Sequence, residues 1–279
     1  MAEYDKNTLK HVQDVQLMIL KDFIKICEKN NLEYYAYGGT VIGTIRHGGF
    51  IPWDDDIDVL MLREDYEKFL KIMDEMQSEK YELLSIDKYE DYHYMFSKLS
   101  LKGTKFKNYW CLKKSFNVGI NIDIFIFDYI PSDNFKFKIF KKRVKILKKI
   151  AYILEIIQNE YYNSTYKKII IYCIKFIFRL LNINNKTYKK LYKKLLNKLH
   201  DKSDKSHSLV YDLAAISYDE PLRIDTIKPP RKVKFESIEI NIPNNYDNYL
   251  KINFGNYMEI PPKDKQTNHC PLEIDFGKY

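Results

Sequence analysis

None of the four cysteines, Cys27, Cys111, Cys173 and Cys270, forms a C-x-x-C pair. Neither a disulfide framework nor a zinc site is expected, and a reducing compartment fits the chain. No apolar run is long enough to span a bilayer. The most apolar piece, Ile169 to Leu181, has 13 residues, which make a helix of roughly 20 Å against a hydrocarbon core of ~30 Å. It is also broken by Lys175 and Arg179, each costing about 2.5–3.5 kcal/mol at the bilayer centre. A transmembrane span is excluded, while a helix lying on a membrane surface or on the core stays open. The charged start MAEYDKNTLK is not a secretory signal, so a cytoplasmic protein is expected, peripheral at most at the inner membrane face. Acidic residues are nearly missing from positions 136–202, which hold 19 basic and 3 acidic residues, a net of +16. With +8 for the whole chain, the remainder carries −8. Such a basic block suits an anionic membrane face, a polyanionic substrate or nucleic acid. No nucleic-acid recognition motif accompanies it, so a basic nucleic-acid-binding module with a degenerate site is the contending reading and no nucleic acid is expected.

At 45% hydrophobic and 30% charged residues, the chain is globular. The apolar spacing from Val12 to Cys27 predicts an amphipathic helix capped by Asn7 or Thr8 and ending near Asn30. A strand is expected over 34–37, a short helix over 41–46, a strand through the acidic run and a helix over 63–76. Strands follow over 81–86, 94–101 and 120–127. Pro131 then breaks the chain. Residues 135–201 read as three helices broken near 162–164 and 182–185. A hairpin over 232–242 turns at Glu236-Ser237, a short helix covers 246–254, and an irregular tail opens at Pro261-Pro262.

The chemistry concentrates in YAYGGTVIGTIRHGGFIPWDDDIDVLML, Tyr35 to Leu62. Residues two apart on a strand share a face. Asp56 and Asp58 therefore point one way, joined by Asp54 if the strand begins early. Ile57, Val59 and Met61 point into a core, and Asp55 faces with them as a cap or support. Two bare carboxylates about 5 Å apart repel by roughly 3 kcal/mol at an effective dielectric near 20. A proton or a cation between them relieves this, and oxygen-only ligands suit Mg²⁺, or Mn²⁺, which completes its shell with water and phosphate oxygens. Gly38-Gly39-Thr40 precedes the short helix. Glycine lets the backbone approach a phosphate, and a helix N-terminus offers N–H groups to an anion. An anion cradle beside a cation site points to metal-assisted transfer from a phosphate ester. In INIDIFIF, Ile120, Ile122, Ile124 and Ile126 line one face. Asp123 on the other is out of place for simple packing. Arg46 and His47 read as a helix-end pair or phosphate contacts, Lys98 as a solvated strand residue or a phosphate contact, and Trp53 as packing.

GGTVIGTIRHGGFIPWDDDID closely resembles the LicD (phosphocholine transferase) family of the nucleotidyltransferase-fold superfamily. The likeness is strong from about Leu32 to Leu70 and patchier at Asn121–Asp128 and Ile242–Cys270. It implies an α/β fold: a nucleotidyltransferase-like mixed sheet with flanking helices. The catalytic core would cover 1–132, a basic helical insertion 133–203, and strands and tail over 204–279 would complete the site. By this resemblance Asp56, Asp58 and Asp123 are the catalytic, metal-holding carboxylates, with Asp54 a further ligand. Gly38, Gly39, Thr40, Arg46, His47, Lys98 and His269 bind substrate, and Mg²⁺ (or Mn²⁺) is the cofactor. The implied reaction moves phosphocholine from CDP-choline to a sugar hydroxyl of a cell-surface glycan, such as lipopolysaccharide or teichoic acid on a lipid carrier, and releases CMP. The alternatives are a CDP-ribitol or CDP-glycerol donor, or a true nucleotidyltransferase that leaves a nucleotide on its acceptor.

Overall fold

The computed structural model describes residues 5–131, 133–159, 165–200, 208–214 and 220–279. Helix α1 (Lys6–Lys29) is capped by Asp5, whose carboxylate accepts from the N–H groups of Asn7 and Thr8 at 3.0 Å each. Asn7 and Thr8, the expected caps, are already inside the first turn. An acceptor-only side chain on extended backbone one step earlier reaches both orphan N–H groups. The helix buries Ile19, Leu20, Phe23 and Cys27 completely, at about 1.5–3 kcal/mol for each large side chain.

Next come β1 (Tyr35–Ala36), α2 (Gly38–His47), β2 (Asp58–Leu62), α3 (Arg63–Met76), β3 (Tyr81–Leu84), β4 (Ser97–Leu101), β5 (Lys105–Lys107) and β6 (Asn121–Tyr129). The main sheet runs β1-β2-β6-β4-β3. Strands β2 and β6 are parallel, and the other pairs are antiparallel. At nine residues β6 is long enough to serve two partners on one side, β4 along its first half and β7 (Leu209–Asp212) along its second. The short β8 (Leu222–Arg223) extends β7. The expected α/β architecture with a mixed sheet is what forms.

Between β6 and β7 lie α4 (Asn134–Asn159), α5 (Thr165–Leu180) and α6 (Asn185–His200). The break expected near 162–164 falls outside the described residues. Helices α4 and α6 share a second hydrophobic core with Tyr92, Phe116, Val118 and Tyr211, into which α6 sends Tyr188 and Tyr192. Buried polar contacts tie them down as well. His93 bridges Glu155 and Asn185 at 2.8 and 2.9 Å, and the fully buried Lys114 side chain reaches Glu155 at 2.6 Å. Satisfied polar groups of this kind fix one packing arrangement.

The chain ends with α7 (Ile224–Ile227), the hairpin β9 (Arg231–Phe235) and β10 (Ile238–Ile242), α8 (Tyr246–Phe254) and β11 (Glu273–Asp275). The hairpin turns at Glu236, whose φ is +52°. The tail is not irregular to its end. Its last strand β11 pairs with β5, and Phe276 stacks on His11 with ring centres 3.8 Å apart. Two strands so short carry too little alternation to show in sequence.

Candidate active site

Strand β2 begins at Asp58 rather than earlier, yet the alternation read from the sequence extends upstream. Asp55 and Ile57 are wholly buried, while Asp54, Asp56 and Asp58 are partly exposed on the other side. The parallel register sets Asp58 opposite Asp123, and the antiparallel register on the far side of β6 sets Lys98 opposite Asp123. Asp58, Asp123 and Lys98 therefore form one row across three strands. Lys98 Nζ donates to both oxygens of Asp123, at 2.6 and 2.8 Å, and lies 3.3 Å from Asn121 Oδ1. Burial lowers the Lys98 pKa, but Asp123 outweighs it and the ammonium is held above its usual value. Lys98 is not a solvated strand residue, because its ammonium is paired with Asp123.

Helix α2 starts at Gly38, three residues before the expected point, so both glycines lie in its first turn. Gly38 has φ +53°, and a Cβ there would stand 3.0 Å from Asp58 Oδ2. A Cβ on Gly39 would stand 3.1 Å from Asp54 Oδ2. The glycine pair makes room for the carboxylates. Replacing Gly39 by alanine should push the Asp54 carboxylate aside by a few tenths of an ångström. A loss of about ten- to a hundredfold in turnover is expected, with little change in melting temperature. An unchanged rate would remove this contact from the site.

Thr40 is buried, and its hydroxyl accepts from the Asp58 N–H at 2.8 Å while its own N–H donates to the Tyr37 carbonyl at 3.0 Å. It pins α2 to β2, where a phosphate contact was expected. Arg46 stands seven residues beyond Gly39, roughly 10 Å along the helix. Its Nη1 donates to the carbonyls of Tyr257 and Glu259 at 2.8 and 3.0 Å, and its Nε to His47 Nε2 at 2.9 Å. The guanidinium lies 5.9 Å from the Trp53 ring centre. Arg46, His47 and Trp53 thus make a second cluster at the far end of α2, fastened to the C-terminal segment.

The tail brings His269 to the acidic run. Its N–H and Nδ1 approach Asp55 Oδ1 at 2.8 and 3.2 Å, and Nδ1 lies 3.5 Å from Asp56 Oδ2. The hydrogen bond to Asp55 is the main cause that pushes the His269 pKa up to about 9, so this exposed imidazole is cationic at neutral pH. The acids shift in the unfavourable direction. Burial, then Asp56, raises Asp54 well above the usual carboxylate range, and burial, then Asp56 and Asp123, does the same to Asp58. Asp56 is raised by burial, with His269 pulling against it. Asp54, Asp55 and His269 each bring one ligand atom within 4.8 Å of the others, but Asp55 and His269 are spent on each other. The crowding left over, at Asp54, Asp56 and Asp58, fits a divalent cation.

Residues missed by sequence reasoning hold this arrangement. Gln13 and Gln16 of α1 donate to the carbonyls of Asp54 and Asp55 at 2.9 and 2.7 Å, and Tyr249 of α8 accepts from the Gly38 N–H at 2.9 Å. Two glutamines inside the apolar stripe of α1 were the available signal. Nothing local marks Tyr249.

A diglycine helix start packed against carboxylates on a mixed sheet is the arrangement that the nucleotidyltransferase resemblance implied. Residues 31–160 match the family described as LicD/FKTN/FKRP, nucleotidyltransferase domain. The chain is 28% identical over 272 residues to the lipopolysaccharide cholinephosphotransferase LicD of Haemophilus influenzae, covering 95% of this chain and 96% of that one. It is 35% identical over 65 residues to an uncharacterized protein of Rickettsia typhi, and 43% identical over 47 residues to one of Rickettsia prowazekii. Those two matches cover 23% and 17% of this chain, and 21% and 18% of the relatives. The matched residues 31–160 form a LicD-family nucleotidyltransferase domain, and the likeness to LicD continues over nearly the whole chain.

Proposed function

We propose that this protein transfers phosphocholine from CDP-choline to a sugar hydroxyl of a cell-surface glycan carried on a lipid, with release of CMP. The observation that carries the reading is the Asp54–Asp56–Asp58 row packed on glycine backbone beside the Lys98–Asp123 pair. It occurs in a chain similar along nearly its whole length to a lipopolysaccharide cholinephosphotransferase.

Asp56 and Asp58 would hold Mg²⁺ or Mn²⁺, with Asp54 a further ligand. The ion would neutralise charge on the donor diphosphate. Asp123, paired with Lys98 through both oxygens, would be a further metal ligand or the general base. The acceptor oxygen attacks the phosphorus of the phosphocholine group and a P–O bond forms. The bond to the bridging oxygen breaks with its electron pair going to CMP and, with Asp123 as the base, the hydroxyl proton passes to it. His269 and Lys98 supply cationic groups for the non-bridging oxygens.

Phe96 and Phe125 favour choline over ribitol or glycerol. They are half-buried and stacked 4.8 Å apart, and Phe125 lies two residues beyond Asp123 on the same face of β6. The Phe96 ring already has the Lys98 ammonium 5.2 Å from its centre, and a quaternary ammonium would compete for the same aromatic surface. Phe125→Leu should raise KM for CDP-choline about fivefold and leave CDP-glycerol unaffected. An equal effect on both donors would assign Phe125 to packing alone. The deciding experiment incubates the protein with Mg²⁺ and a panel of CDP-linked donors, follows CMP release, and weighs the product. A phosphocholine adduct supports the proposal, whereas a nucleotidyl adduct makes the protein a true nucleotidyltransferase.

A further inference from the structure

Helix α5 is apolar on two opposite faces, one toward the protein and one toward solvent. Its most covered residues, Ile171, Ile174 and Phe178, recur at three- and four-residue steps and face the protein, with Phe178 packed on the second core. The opposite face carries Ile169, Tyr172, Phe176 and Leu180, which are 60–68% exposed. At 100° per residue these four fall within one narrow outward arc. Lys168, Lys175 and Arg179 follow along one edge of that arc. A surface helix turned apolar side outward marks a contact with something apolar.

The apolar surface does not stop at α5. Helices α4 and α6 enclose two adjoining grooves of about 300 and 370 Å³ that share Arg143, Leu195 and Lys198. Ile139, Ile146 and Leu191 open onto them and are 38–50% exposed, and Arg143, Lys194 and Lys198 stand among their walls. Positions 139, 143, 146, 150 and 157 share one side of α4, since they recur at three-, four- and seven-residue steps. Ile157 at the end of that stripe lines a cleft with Phe178 and Arg179 of α5. The grooves and α5 therefore lie on one side of the α4–α6 pair.

We infer that this side is a membrane-binding surface. It lays α5 in the plane of an anionic bilayer with its outward apolar face among the acyl chains and its basic edge at the headgroups. The charge names the occupant. Residues 136–202 carry a net of +16, which attracts an anionic lipid face and repels a second copy of the same surface. No helix among the described residues is long and apolar enough to cross a membrane, so the contact is interfacial. Lys189 donates to the Asp87 carbonyl and Lys193 pairs with the Asp87 carboxylate at 3.0 Å, so these two are already engaged at the surface beside Asp87. The inference rests on exposure and charge and is independent of the reaction proposed above.

Flotation of the full chain with vesicles decides it. Wild type should float with phosphatidylglycerol-rich vesicles, stay behind with pure phosphatidylcholine, and lose binding at high salt. I169S/F176S/L180S changes only exposed side chains and should weaken binding at least about tenfold. R143Q/K194Q/K198Q should do the same, since each basic residue near an anionic surface contributes about fivefold. Circular dichroism checks that both variants fold. Undiminished flotation of the serine variant would overturn the inference, as would equal binding to both vesicle types. So would wild type that sediments as a dimer, ignores vesicles, and becomes monomeric in the serine variant, because the occupant would then be a second copy.

Discussion

Asp58→Asn should reduce Mg²⁺-dependent CMP release by about 10²–10³-fold while the protein stays folded. Asparagine nearly matches the shape of aspartate, so the close fit to Gly38, 3.0 Å from the carboxylate to a notional Cβ, is preserved. What disappears is one charge of the row. The same change should make the metal-free protein more stable near neutral pH, and the sign follows from linkage. Burial and the neighbouring acids raise the pKa of Asp58 well above the usual carboxylate range. The folded state then binds a proton more tightly than the unfolded state. Stability is lost as pH rises from the ordinary carboxylate value through the raised one. Metal-free wild type should therefore melt higher at mildly acidic pH than at neutral pH, and Asp58→Asn should flatten that slope. Added Mg²⁺ should raise the neutral-pH melting temperature of wild type more than that of the variant, because a ligand stabilises the state that binds it. Full Mg²⁺-dependent activity in the folded variant would remove Asp58 from the machinery.

Asp128→Asn should be the costliest change to stability, at about 3–5 kcal/mol. Arg63, the first residue of α3, meets Asp128 of β6 in a two-pronged pair, with Nε to Oδ1 and Nη2 to Oδ2 both at 2.8 Å. The side chains are 8% and 1% exposed. Burial pulls the guanidinium pKa down, but Asp128 and a hydrogen bond with Tyr192 of α6 outweigh it and hold the group charged. The pair ties the sheet, α3 and the helical region together behind the site. With Asp128 neutral, a guanidinium stays buried with its counter-charge gone. At about 2–4 °C per kcal/mol for a chain of this size, the melting temperature should fall by roughly 10 °C. The double variant Arg63→Met, Asp128→Leu should recover much of this, since no orphan charge is left. If Asp128→Asn melts with wild type, the pair contributes nothing net and the second core alone holds the helices.

Sequence reasoning succeeded where the physics is local. The shared face of Asp54, Asp56 and Asp58 follows from a period of two, which survives the strand's late start at Asp58. The isoleucine face of β6 and the three helices after Pro131 follow from periodicity of the same kind. Thr40, Lys98 and Arg46 have partners that the local pattern did not reveal. Each was weighed as a group that meets a phosphate, and each is engaged inside the protein.

The sequence by itself determined the chemistry on offer: a run of carboxylates too crowded to stay bare, glycines where a side chain would collide, and a basic block with no span long enough to cross a bilayer. Those are properties of residue type and short spacing, and they hold in any fold that keeps the strand a strand. Only the tertiary structure decided how the groups pair. Asp123 meets Lys98 because β4 and β6 run antiparallel in one register, and a slip of one residue would turn them to opposite faces. His269 reaches Asp55 across 214 positions because β11 finds β5 and draws the tail back over the site. One apolar side of α5 faces outward because α4 and α6 fill the second core and leave it nothing further to pack against. Contacts between distant segments depend on the packing of the whole chain, and for that reason no window of sequence contains them.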